Sequence, residues 1–229
     1  MKRFAIIPAG GSGKRLGFET PKQFLKIGGK EIILHTLEPF FACEMIDEII
    51  IAVSETYFDF AKKLFSEYRK IKPLEIVIGG KERQDSVFAA LSSIENAEPT
   101  DFVVVHDAAR AFLDISVLKN ALEMAKNRGN AVVAIPARDT LAEVDENKIE
   151  NYSDRSKIYY VQTPQIFTYK TLMNAMLKAK EENYIGTDES MLVKRYGERV
   201  FIAEGSSFNF KITTKEDLEL AKKLIDTLS

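Results

Sequence analysis

Short runs that are apolar at every position restrict this chain's fold more than any other feature. Residues 4–7, 49–53, 102–105 and 131–135 contain no polar side chain. A strand with one wet face alternates polar and apolar residues, whereas a strand apolar on both faces is covered on both sides. Between these runs lie stretches with helical spacing. The expected strands are Arg3–Ile7, Glu48–Val53, Leu74–Ile78, Phe102–Val105 and Ala131–Ile135. The expected helices are Ile32–Ala42, Thr56–Tyr68, Gln84–Ile94 and Val117–Asn127. Alternating strands and helices predict an α/β fold, with a doubly wound, mostly parallel sheet carrying helices on both faces.

The rhythm changes after Pro136. Residues 138–160 hold short alternating segments around the turn Asp145-Glu146-Asn147, which reads as a projecting β-hairpin. A two-stranded hairpin in water is marginal on its own. A second subunit covering it is expected, so the chain is read as a homodimer with 138–160 as its dimerisation arm. Helices at Tyr169–Glu182, Glu189–Tyr196 and Lys215–Leu228 follow, the last opened by Thr214 with Asp217 as a capping box. Val200–Ala203 and Phe208–Ile212 are expected strands. The 229 residues carry no repeat or low-complexity linker and read as one domain, 1–229.

Bulk composition excludes several functions. Lys plus Arg number 32 against 34 Asp plus Glu, a net charge of −2, so nothing draws the whole chain to nucleic acid or an anionic membrane. Cys43 is the sole cysteine, which rules out an internal disulfide and suits a reducing compartment. With only His35 and His106 beside it, a Cys/His zinc site is excluded. The apolar run before Pro8 is too short for a signal sequence or membrane span, so a cytoplasmic location is expected.

The first strand runs into Pro8-Ala9-Gly10-Gly11-Ser12-Gly13-Lys14-Arg15-Leu16. Glycines let backbone N–H groups close around an anion. A Walker A loop would place Gly where Pro8 stands and Ser or Thr where Arg15 stands; a dinucleotide fingerprint starting at Gly11 would need Gly in place of Leu16. The loop is therefore either a plain tight turn or a phosphate nest of another kind. Thr20-Pro21-Lys22-Gln23 follows closely, bringing Lys22 near Lys14 and Arg15 and favouring the nest. Lys26 and Lys30 read as ordinary solvated lysines.

Four later segments fall near expected strand ends or helix starts, where open α/β sheets bind ligands. Gly79-Gly80 permits close approach to a base or ribose, with Ser86 as a small hydrogen-bonding group, unless the segment is only a strand–helix joint. Asp107, in His106-Asp107-Ala108-Ala109-Arg110, suits a ribose hydroxyl or a metal-bound water, while His106 reads as structural. Thr187-Asp188-Glu189 opens a helix, either as its cap or with Thr187 turned to a phosphate. Lys211 interrupts an apolar segment and needs an anionic partner there. No Ser/His/Asp or Cys/His nucleophile set is present. Cations on separate segments instead suit phosphoryl or nucleotidyl transfer, in which one phosphate attacks another and the protein aligns and neutralises charge. A divalent ion bridging a triphosphate would complete that chemistry.

These motifs resemble, in order and along essentially the whole chain, the 2-C-methyl-D-erythritol 4-phosphate cytidylyltransferase family of non-mevalonate isoprenoid synthesis. The resemblance rests on Pro8-Ala9-Gly10-Gly11 with Gly13-Lys14-Arg15, Pro21-Lys22-Gln23, Gly79-Gly80 with Arg83 and Asp85-Ser86, and His106 to Arg110. It continues through Arg138-Asp139-Thr140, Asp154-Arg155, Thr163-Pro164-Gln165, Thr187-Asp188-Glu189 and Lys211-Ile212-Thr213. It implies a Rossmann-like nucleotidyltransferase fold that moves CMP from CTP to methylerythritol phosphate, with Mg2+ accompanying the nucleotide. Arg15, Lys22 and Lys211 would act on the triphosphate and transition state. Ala9, Gly10, Gly11, Gly80 and Ser86 would line the CTP pocket, with Asp107 near the ribose and the metal. Thr140, Thr187 and Lys211 would grip the acceptor, and Arg155 would reach it from the other subunit. Arg83, Arg110 and Arg138 would support them. The chain departs from the family in Ala111, where Pro is usual.

The nearest rival is a ribitol-5-phosphate cytidylyltransferase, which would share the loop, Lys22 and Lys211. Asp154, Ala108-Ala109 and Thr187-Asp188-Glu189 favour the methylerythritol enzyme. A sugar-1-phosphate nucleotidylyltransferase would usually carry Thr at position 14, and a silent nucleotide-binding subunit would not need Lys22 and Lys211.

Overall fold

A parallel sheet with a single inserted antiparallel strand organises the chain. The computed structural model describes residues 1–11, 17 and 20–228. Its strands are β1 (Arg3–Ala9), β2 (Lys26–Ile27), β3 (Lys30–Glu31), β4 (Glu48–Val53), β5 (Leu74–Ile78), β6 (Phe102–Val105), β7 (Asn130–Pro136), β8 (Ala142–Asp145), β9 (Lys148–Tyr152), β10 (Tyr159–Thr168) and β11 (Ile202–Glu204). Its helices are α1 (Ile32–Ala42), α2 (Phe58–Leu64), α3 (Arg83–Ser93), α4 (Ile115–Arg128), α5 (Tyr169–Glu181), α6 (Glu189–Tyr196) and α7 (Lys215–Leu228). The main sheet runs β11-β7-β10-β6-β1-β4-β5. Pairings β6–β1, β1–β4, β4–β5 and β7–β11 are parallel, and β10 lies antiparallel to both β6 and β7.

The apolar runs go where two-sided burial requires. On β1, Ala5, Ile7 and Ala9 face one layer, packed with Leu37 and Phe40 of α1 and Leu118 and Leu122 of α4. Phe4 and Ile6 face the other, against Val87 and Leu91 of α3, Leu172 and Met176 of α5, and Leu192 of α6. A smaller cluster seats α7, through Leu218 and Ala221, on Ile27, Ile32 and Ile212.

Three expectations need correction. Phe208–Ile212 is not a strand. Its backbone groups are used singly, Ile212 N–H donating to Ala109 O at 2.9 Å and Asn209 N–H to Ser206 O at 3.1 Å. The helix expected at Thr56–Tyr68 is only α2, with single 3-10 turns at Glu55–Tyr57 and Tyr68–Lys70. The longest strand of the main sheet, β10, was not among the expected strands; its middle, Gln162-Thr163-Pro164-Gln165, has no strand-like pattern, yet all four side chains are buried.

The hairpin forms as expected. β8 and β9 pair around Glu146-Asn147, both with positive φ (45° and 65°), the geometry of a two-residue type I′ turn. Every residue of β8 and β9 is exposed, including Val144, Ile149 and Tyr152.

Candidate active site

The strand order reverses between β1 and β6. β4 and β5 are laid down on one side of β1, and the chain then crosses through α3 to β6 on the other side. A crevice opens at such a switch point beyond the carboxyl ends of the strands. Here it is a cleft of about 660 Å³ whose walls include Gly10-Gly11 after β1, Gly80 to Arg83 after β5, Asp107 to Ala109 after β6, and Lys22 and Lys211. Among the described residues, Lys22, Lys81, Arg83 and Lys211 line it against Glu82 and Asp107, a surplus of two positive charges in a chain of net −2. Charge of that sign in a concave site attracts anions.

Local structure fixes each wall. Gln23, 3% exposed, donates from Nε2 to Ala9 O at 2.5 Å and Gly11 O at 3.0 Å, tying the first loop to the segment carrying Lys22. Glu82 caps α3 in a capping box with Asp85, and a side chain on Gly80 would overlap the Asp85 side chain. A Cβ on Gly79 would lie 2.7 Å from Ser86 Oγ, so the joint between β5 and α3 closes only with glycine. Ser86 is itself buried, its hydroxyl donating to Glu82 O at 3.1 Å.

Asp107 is the electrostatic centre. Its Oδ1 accepts from Arg83 Nε at 2.9 Å; its Oδ2 lies 2.9 Å from Lys211 Nζ and 3.7 Å from Arg110 Nε. Burial alone would raise its pKa, but Arg83, Lys211 and Arg110 together hold the carboxyl well below the usual carboxylate range. Arg83 also forks onto Glu189, Nη1 to Oε1 at 2.6 Å and Nη2 to Oε2 at 3.0 Å, and Glu189 is 1% exposed. Burial opposes the Arg83 charge, and Glu189 and Asp107 outweigh it. Lys22 Nζ donates to Ile212 O at 2.8 Å, beside Lys211.

Behind this centre lies a neutral relay. Asp107 N–H donates to Thr163 Oγ1 at 3.0 Å, and that hydroxyl lies 3.0 Å from His106 Nδ1. His106 Nε2 lies 3.3 Å from Arg110 O, which can only accept. The imidazole proton is therefore assigned to Nε2, and Thr163 donates to Nδ1. Burial, and then Arg110, push the His106 pKa down to about 3, so the ring is neutral. These bonds hold the loop that carries Asp107.

The cleft brings together Ala9, Gly10, Gly11, Lys22, Gly80, Ser86, Asp107 and Lys211. Arg15 lies outside the described residues. Thr140, Arg155 and Thr187 are exposed and are not among the lining residues. Thr187 turns its hydroxyl to Met191 Sδ at 3.0 Å, and Arg155 Nη1 donates to Arg138 O at 3.2 Å. Glu189 had been read only as part of a helix start; a carboxylate two residues after Thr187 gives no sign in sequence of its bidentate partner 106 positions away. Gln23 was legible only as the neighbour of Lys22.

Metal-binding capacity is slight. Among the described residues no group of three His, Cys, Asp or Glu side chains is arranged to hold a metal ion. Both oxygens of Asp107 are engaged by cations, and Glu82 is committed as a helix cap.

A family model described as 2-C-methyl-D-erythritol 4-phosphate cytidylyltransferase matches residues 4–227. The chain is 37% identical over 221 residues to the protein of that name from Clostridioides difficile (strain 630), spanning 96% of this chain and 92% of the relative. It is 38% identical over 220 residues to the one from Bacillus mycoides (strain KBAB4), spanning 96% of each. The crystal structure of the Francisella tularensis protein of that name matches with a TM-score of 0.83 at 31% identity, covering 97% of this chain and 99% of that one. With its motifs in order, its cleft at the sheet's switch point and these relatives matched nearly end to end, the chain belongs to the 2-C-methyl-D-erythritol 4-phosphate cytidylyltransferase family.

Proposed function

We propose that the protein transfers CMP from CTP to 2-C-methyl-D-erythritol 4-phosphate, releasing pyrophosphate, as a step of isoprenoid synthesis. A phosphate oxygen of the acceptor forms a bond to the α-phosphorus of CTP as the bond from that phosphorus to the pyrophosphate oxygen breaks. No protein nucleophile is required; alignment and neutralisation of the developing charge supply the catalysis. Lys22 and Lys211, with Arg15 earlier in the sequence, neutralise the triphosphate and the leaving pyrophosphate. Gly10, Gly11, Gly80 and Ser86, with Ala9, receive cytosine and ribose at close range, and Asp107 holds Lys211 in place. A Mg2+ ion accompanying the triphosphate would neutralise phosphate charge, with Asp107 the carboxylate beside it. The surplus of two positive charges in a cleft floored by glycine loops is the observation that supports this reading most directly.

The acceptor is assigned to Lys211, Thr187 and Thr140. Arg155 is assigned to the active site of a second copy, whose surface covers the exposed Val144, Ile149 and Tyr152 of the arm. The same reading places the protein in the cytoplasm, where its one cysteine, buried Cys43, stays reduced. No described helix is long and apolar enough to cross a membrane. Pyrophosphate release is measured with CTP and each acceptor. Turnover with methylerythritol phosphate and not ribitol 5-phosphate is expected; turnover confined to ribitol 5-phosphate, or faster use of UTP than CTP, overturns the assignment.

A further inference from the structure

The first turn of α3 joins the nucleotide loop to the segment carrying Thr187. Gln84 clamps that segment's backbone, its Nε2 donating to Tyr184 O at 3.1 Å and its Oε1 accepting from Gly186 N–H at 2.9 Å. Arg83 takes the other end, forking onto Glu189. Glu189 is buried with no other ion-pair partner among the described residues, and Arg83 continues to Asp107, which holds Lys211. Contacts of 2.6, 2.9 and 2.9 Å thus run from the acceptor-side helix to the lysine on the reaction side. Gln165, fully buried, fixes the same segment from behind, donating to Asp188 Oδ2 at 3.0 Å and accepting from Ser190 N–H at 2.8 Å.

Packing alone does not call for this arrangement. A buried carboxylate is costly to desolvate, and a hydrophobic residue in its place would commonly be as stable. The fork of a guanidinium can serve two carboxylates at fixed angles, which a lysine cannot. The first turn of α3 is anchored by its capping box directly after Gly80. Both substrate sides are therefore referenced to a single rigid element.

We propose that Glu189 is a positioning residue for the transfer reaction, setting Lys211 and the Thr187 segment at a common distance through Arg83 and Asp107. This rests on the cytidylyl-transfer reading above. Glu189 touches no substrate. It makes the position of the acceptor phosphate depend on the charge network that steadies the leaving pyrophosphate.

The test is steady-state kinetics of E189Q, in the full-length protein, with CTP and acceptor varied in turn. Glutamine keeps the shape and removes the charge. Loss of about tenfold to a hundredfold in kcat over the acceptor KM is expected, the scale of a small misalignment of reacting groups, with the CTP KM changed by less than about threefold. The distinguishing measurement is E189Q in a K211A background. If Glu189 works through Lys211, its further effect there shrinks to about twofold or less. An equal loss in both backgrounds, or normal kinetics of E189Q, overturns the proposal. Should E189Q fail to fold, E189D reads the same coupling, because it keeps the charge and withdraws the carboxylate from Arg83 by one methylene. A raised acceptor KM with an unchanged CTP KM supports the proposal, and an unchanged acceptor KM refutes it. Wild-type protein that fails to use methylerythritol phosphate would instead refute the reaction itself.

Discussion

Thr163 offers the sharpest test of how the site is held, because one hydroxyl serves two buried partners. It accepts from Asp107 N–H and donates to His106 Nδ1, each at 3.0 Å, and Thr163 and His106 are 3% and 0% exposed. Thr163→Val keeps the shape and removes the hydroxyl. Two buried groups then lose their partner, at about 1–3 kcal/mol each, so a loss of about 2–6 kcal/mol is expected. Thr163→Ser keeps the hydroxyl and gives up one methyl, costing about 1 kcal/mol. Equilibrium urea unfolding of the three proteins, compared at a common m-value, reads the difference. Valine should be the more damaging by about 1–5 kcal/mol. A serine variant as unstable as the valine variant, or more so, would show that methyl packing outweighs the relay and would refute the hydrogen-bond account.

Lys22→Ala and Lys211→Ala should each lower kcat by about a hundredfold or more in a pyrophosphate-release assay, as expected for oriented charge stabilisers; near-wild-type turnover in either would remove that residue from the mechanism. Ile149→Asp puts a charge on the exposed arm and should shift a dimer to monomer on size-exclusion chromatography while raising the acceptor KM. A protein that is monomeric before the change would sink the arm's assigned role. His106 stays neutral in the folded state down to about pH 3, while its unfolded counterpart gains a proton below 6.5. Acid therefore favours unfolding in that window, by about 1.4 kcal/mol per pH unit for this ring. Wild type should lose stability more steeply than His106→Gln between pH 6 and about 4, and parallel curves would contradict a buried neutral imidazole.

Sequence patterning revealed what depends on one-dimensional order. The wholly apolar runs marked β1, β4, β6 and β7 because two-sided burial leaves no polar position. The glycine pairs marked the cleft because backbone must approach backbone there. What escaped notice depends on long-range polar pairing. β10 is buried in the middle of the sheet, yet Gln162, Thr163 and Gln165 look like loop residues. They are tolerated because Asn209, His106 and Asp188 lie opposite them in space, 23 to 57 positions away. The reverse error occurred at Phe208–Ile212, where a largely apolar segment was expected to be a strand. The alternate positions instead send Asn209 into the buried relay and Lys211 toward Asp107, while Phe208 stays in solvent. The Arg83–Glu189 fork was invisible for the same reason: two common charged residues, unremarkable locally, meet only once α3 and α6 are in place.

The position of β10 also bears on how the chain comes together. Residues 3–105 supply the block β5-β4-β1-β6, and β7 belongs to the other side of the sheet, joined to that block only through β10. Until residues 159–168 arrive, the all-apolar β6 presents an unpaired edge, as a nascent or truncated chain would. Open edges of that composition recruit other strands. A chain ending before Tyr159 is therefore expected to aggregate, although it would contain every glycine loop of the cleft. The strand that supplies Thr163 beneath the active site is also the seam that closes the sheet.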